Sequence, residues 1–166
     1  MIVGIDNGSC SGAMCILDKW GDIVEYHTLP ACREPCEFTG KMGKTKIDIL
    51  QTVDIIENYD PYCIGIEKPL HFAGSIMAMR SMALCYGSLE AMCKIKDWPL
   101  SAIPPRVWQN RMLGKFGKGQ SKEAALAAAQ TLVPEEDWIP KAKQVAHSGV
   151  IDAYLIARFT WENNCK

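Results

Sequence analysis

The 166-residue sequence has no apolar run approaching the ~18 to 20 residues that cross a bilayer as a helix. Its N-terminal apolar stretch reaches Asp6 before a signal-like segment builds up. These absences argue against a membrane-spanning helix and lead to the expectation of a cytoplasmic protein. Excess charge is also missing: 18 Lys and Arg against 19 Asp and Glu leave a net charge of −1. The molecule as a whole is therefore not a polycation that coats nucleic acid. Internal repeats and low-complexity tracts are absent too, which leaves an ordinary folded domain.

What is present fits one domain over residues 1–166, with 48% hydrophobic and 22% charged residues. The eight cysteines, with no secretory segment beside them, read as reduced thiols. Cys15, Cys63, Cys85 and Cys93 sit in apolar segments and read as core packing. His27, Cys32 and Cys36 have a weak zinc-like spacing that needs a fourth ligand from elsewhere; the plain alternative is free loop thiols. Positive charge is local. Arg106, Arg111, Lys115, Lys118 and Lys122 follow one another with no acid between Ser101 and Lys122, and Lys41, Lys44 and Lys46 lie among glycines. Such segments suit a phosphate backbone, or simply a solvated basic face.

Three strands open the chain, Ile2 to Ile5, Ala13 to Leu17 and Ile23 to Thr28, joined by turns into an antiparallel meander. Pro30 to Gly43 reads as loop. "KIDILQTVDIIENY" then places Ile47, Leu50, Val53, Ile55 and Ile56 at helical spacing. "YCIGIEKP" is a buried strand ending in Glu67, and a long helix runs from Ser75 to about Lys94, with small residues Ala78, Ala83, Gly87 and Ala91 along it. "PLSAIPP" is a fifth strand, followed by helices in "RVWQNRMLG" and in "SKEAALAAAQTLVP", the latter capped by Ser121. "HSGVIDAYLIARFTWEN" closes the chain as a helix. The order predicts an α/β domain with a mixed sheet. A helical crossover from the third strand to the fourth brings the fourth beside the first, so Asp6 and Glu67 end adjacent strands.

Adjacent carboxylates repel, and a divalent cation or a shifted pKa resolves the repulsion. Asp152, read as lying in the first turn of the last helix, supplies a third acid if that helix crosses the sheet. Hard oxygen ligands suit Mg²⁺ or Mn²⁺, and two such ions about 3.5 to 4 Å apart can clamp the attacking and leaving oxygens of a phosphodiester. His147, just ahead of the helix, can ligate the second ion or act as general acid or base. Lys122 can steady phosphate charge. The plainer alternatives are a turn cap for Asp6, helix-dipole stabilisation for Asp152, an exposed loop histidine and a first-turn lysine.

"GIDNGSCSGA", "IGIEKP" and "HSGVIDAYLIA", in this order and spacing, resemble the RuvC-type Holliday-junction resolvases of the RNase H-like superfamily, especially short phage-like members. "PPRVWQNRMLG" and "SKEAALAAAQTLVP" fit the family's proline-led loop and following helices, so the resemblance spans nearly the whole chain. It implies an RNase H-like α/β fold: a five-stranded mixed sheet, three meander strands plus two parallel ones, flanked by helices. It further implies a metal-dependent endonuclease that resolves four-way DNA junctions by paired phosphodiester hydrolysis. Asp6, Glu67, His147 and Asp152 carry over as catalytic and metal-binding residues, with two Mg²⁺ or Mn²⁺ ions and no small-molecule cofactor. A homodimer is implied, its interface placed on the helix from Ser75. In "KPLHFAGS" the resemblance gives Phe72 a stacking role on an unpaired base, against simple packing under its own loop. The sequence departs from many members at Ser148-Gly149-Val150, where they carry a further aspartate; the histidine-bearing members imply that three carboxylates plus His147 suffice. A broader flap or fork nuclease would use the same metal site. "GIDNGSCSG" also resembles the phosphate-binding turn of actin-like ATP-binding proteins, which need two such domains.

Overall fold

Every residue of Ile2–Ile5 is buried and Asp6 half-buried, the pattern of a central strand whose last residue emerges from the core. In the computed structural model, which describes residues 1–8, 12–35, 37–69, 75–138 and 147–164, this strand β1 (Ile2–Asp6) lies in the middle of a five-stranded sheet. On one side β2 (Ala13–Leu17) and β3 (Ile23–Thr28) continue it as the antiparallel meander. Two further residue pairs, β4 (Ala31–Cys32) and β5 (Lys46–Ile47), form a small antiparallel sheet of their own. Helix α1 (Ile49–Glu57) leads to β6 (Cys63–Glu67), which pairs with β1 in parallel. Helix α2 (Ile76–Ile95) leads to β7 (Leu100–Ile103), parallel to β6. Three helices follow: α3 (Pro105–Met112), α4 (Ser121–Leu132) and α5 (Ser148–Asn164). The sheet order β3-β2-β1-β6-β7 is the mixed sheet that the sequence predicts.

Three local readings need correction. The first helix begins at Ile49 instead of Lys46, because the Asp48 side chain accepts the Gln51 amide at 3.1 Å and so caps the helix there. Lys46 and Ile47 are thereby left to β5. Leu50, expected on the apolar face, is 78% exposed, since the helix turns Thr52, Val53 and Ile56 inward. Ser121 is the first helical residue of α4 and not its cap; Gln120 holds the cap position without a side-chain bond.

Alternation along the strands divides the core in two. Val3, Ile5, Met14, Ile16, Ile64 and Ile66 pack under α1 and α2, whereas Ile2, Ala13, Cys15 and Leu17 pack under α5 with Tyr154 and Leu155. Cys15, Cys63, Cys85 and Cys93 are buried, as their apolar settings predict.

What sets the position of α5 is a pair of glycines. Gly4 and Gly65 are register partners on β1 and β6. A Cβ built on Gly4 would stand 2.2 Å from the Ala157 amide nitrogen and 2.4 Å from the Ala153 carbonyl oxygen. On Gly65 it would stand 2.0 Å from Thr160 Oγ1. The helix therefore rests on bare strand backbone along a line from Gly4 to Gly65.

These contacts differ in what can yield. Gly65→Ala is expected to destabilise the fold by about 1–3 kcal/mol, and Thr160→Ala in the same chain should recover most of that loss. Gly4→Ala meets helix backbone, so no side-chain truncation should rescue it. Urea unfolding of the single and paired variants measures both outcomes.

Candidate active site

Ile5 and Ile66 are register partners, so the next residue on each strand, Asp6 or Glu67, is a carboxylate at the same level of the sheet. Asp6 shares its strand face with Gly4, and Glu67 with Gly65, so both acids lie on the side that α5 covers. Asp152 immediately precedes Ala153, whose carbonyl oxygen overhangs Gly4. Three acids from three elements are thus brought to one end of the sheet. Asn7, only 5% exposed, ties the strand ends together by donating its Nδ2 hydrogen to the Glu67 carbonyl oxygen at 2.5 Å. The Lys68 amide does the same for β7, donating to the Ile103 carbonyl at 2.8 Å.

The electrostatics show the consequence of gathering these charges out of water. Burial raises the Asp6 carboxyl well above its ordinary range, and repulsion from Asp152 and then Glu67 raises it further. Glu67 is pushed up to about 7, first by burial and then by Asp152, while the Trp108 indole opposes the rise. Asp152 is pushed up to about 6 by burial, with Lys122 opposing. Among the described residues no Lys, Arg or His forms an ion pair with any of the three. Nor, among those residues, does any group of three His, Cys, Asp or Glu side chains already converge at metal-ligating spacing. The donor set nevertheless fits a hard divalent cation, being all carboxylate oxygen and short of positive charge.

Asp152 is the fifth residue of α5, and the first turn of that helix holds no acid. The sequence reading starts the helix at the same place but counts Asp152 into its first turn; the residue just ahead, His147, is the cap. Its Nδ1 accepts the Val150 amide at 3.2 Å and starts the helix at Ser148. Attraction to a helix N-terminus fades beyond the first turn, so it does not account for an acid at Asp152. His147 itself faces a hollow of about 240 Å³ shared with Tyr26, Thr28, Asp137, Trp138 and Val150. No described interaction joins it to the three acids.

The remaining expected residues divide. Lys122 is exposed on α4 and close enough to Asp152 to favour its charged form. Arg106, Lys115 and Lys118 are exposed on α3 and on the connection to α4. Arg111 turns toward Glu162 at 3.8 Å, roughly 15 Å along α5 from Asp152 at helical rise. Lys46 pairs with Glu34 at 2.5 Å. Phe72 lies outside the described residues, as does Cys36, and His27 pairs with Glu25 Oε1 at 3.3 Å. Sequence reasoning overlooked Asn7 and Trp108. Asn7 follows Asp6 directly, whereas nothing local marks Trp108.

A carboxylate whose pKa is higher folded than unfolded binds its proton more tightly in the fold, so its charge destabilises the metal-free protein as pH rises through both values. For Glu67, moved from 4.5 to about 7, this amounts to about 3 kcal/mol above pH 7. Glu67→Gln in chelator should therefore unfold at a higher temperature than the native chain at pH 8. The gain should fade by pH 4.5, and calorimetric scans at both pH values check it.

No protein-family model matches this sequence, and no curated protein matches it. Solved structures do. RuvC of Thermus thermophilus in complex with a Holliday junction substrate superposes with a TM-score of 0.64 at 13% identity, covering 99% of this chain and 96% of that one. A second Thermus thermophilus RuvC structure gives 0.55 at 13% identity, over 98% and 94% of the two chains. The likeness extends from end to end, and the fold of this chain is the α/β fold of RuvC, as the mixed sheet and its flanking helices already indicate.

Proposed function

We propose that this chain is a divalent-metal-dependent endodeoxyribonuclease that resolves four-way DNA junctions. The observation that carries the reading is the set of buried, mutually repelling carboxylates Asp6, Glu67 and Asp152, held at one sheet end by α5. The fold adds support, because RuvC with this fold has been solved with a Holliday junction substrate. Asp6, Glu67 and Asp152 would hold Mg²⁺ or Mn²⁺, two ions per site, with His147 as the auxiliary group. When bound, such ions supply Lewis-acid stabilisation of charge on the phosphodiester and a more acidic water.

The chain's own residues supply the rest. His147 accepts the Val150 amide through Nδ1, so its proton sits on Nε2, which can give it to a departing oxygen. Lys122, beside Asp152, offers its ammonium to a phosphate oxygen of the bound strand. Arg106, Lys115 and Lys118 extend that positive face along a DNA arm, and Phe72 is assigned to an unpaired base at the exchange point. Two copies cut the opposed strands. Their contact is placed on α2, where Ile76, Met77 and Leu84 are exposed apolar residues, and sedimentation of the free protein should show a dimer.

Cleavage of a labelled four-way junction, beside matched duplex, flap and fork, tests the reading. Paired symmetric nicks confined to the junction are expected with Mg²⁺ or Mn²⁺. Asp6→Asn should abolish them by 10³-fold or more, on the order of 4 kcal/mol in the barrier, while junction binding survives. Equal cutting of flaps and forks would make this a general branched-DNA nuclease, and no metal-dependent cutting would overturn the catalytic reading.

A further inference from the structure

Trp108 is one of the largest fully buried side chains, 1% exposed, and among the described residues its Nε1 has no hydrogen-bond partner. A buried indole N–H usually finds an acceptor, and one without an acceptor calls for a reason. The fold supplies one. Glu67 is the register partner of Ile103 at the end of β7. Pro104 and Pro105 then start α3 at once, so Trp108 comes inward one turn later, beside that strand end. There its unpartnered N–H is within electrostatic reach of the Glu67 carboxylate.

We propose that Trp108 is the positioning residue of Glu67: its indole N–H takes one carboxylate oxygen when a cation binds and so presents the other to the metal. The proposal rests on the metal-binding reading of the three acids. It explains why an aromatic with a donor is buried in α3, a helix otherwise made largely of polar residues, PRVWQNRM. A phenyl ring would fill much of the same space and could not hold the carboxylate. The role resembles the outer partners of metal ligands generally, which orient the ligand while touching no metal themselves.

Calorimetric titration with Mn²⁺, free of DNA, compares the native chain with Trp108→Phe. The expected result is an affinity about 10- to 100-fold weaker in the variant, with metal-free junction binding unchanged. Affinities within twofold of each other would overturn the proposal. Should the variant fail to fold, the indole N–H resonance of Trp108 in the ¹⁵N-labelled native chain decides. It is expected to move downfield on adding Mg²⁺, and to shift in metal-free Glu67→Gln. A resonance indifferent to both changes would overturn the role. If the native chain binds no Mn²⁺ that Asp6→Asn removes, the metal reading fails by itself, and the resonance in metal-free Glu67→Gln still reports whether Trp108 holds Glu67.

Discussion

The close approach of α5 to the backbone of β1 and β6 is the constraint on which the rest depends. Two strand positions without side chains, Gly4 and Gly65, stand side by side in the parallel pair and leave a line for the helix. Ala153 and Ala157 are small where the helix meets Gly4, and Thr160 sits over Gly65. Because strand side chains alternate between faces, the residue two positions beyond each glycine lies on the same covered face. In both strands that residue is an acid. One packing decision thus places Asp6, Glu67 and Asp152 together.

That placement works against the stability of the bare fold. A core that buries Ile2, Leu17, Tyr154 and Leu155 on one face and Val3, Ile5, Ile64 and Ile66 on the other supplies the stabilisation, and the three acids return part of it. Nothing in the packing demands carboxylates at these positions, since amides of the same shape would remove the repulsion. Perturbed acids gathered in one place mark a candidate functional site, and that is the ground on which a cation site is proposed.

Much of this was legible in the sequence because it is local. An apolar run ended by an acid announces a strand that delivers a carboxylate, and "IVGID" and "CIGIE" do so in parallel. The glycine in each run was visible too, but its purpose appears only once α5 is seen to lie on it. Other features depend on contacts far apart in sequence or on helix caps. The Asp48 cap moved the start of α1. Nothing in the sequence marks Trp108, because an unpartnered indole N–H is a property of the assembled core. Arg111 read as part of a basic run, and only the folded chain shows it turned toward Glu162.

The central claim, that α5 over Gly4 and Gly65 builds one cation site from three acids, is tested most directly by diffraction from crystals grown with Mn²⁺. The account predicts anomalous density within coordination distance of carboxylate oxygens of Asp6, Glu67 and Asp152. Well-ordered carboxylates with Mn²⁺ bound only elsewhere, for example near His27 and Cys32, would contradict it.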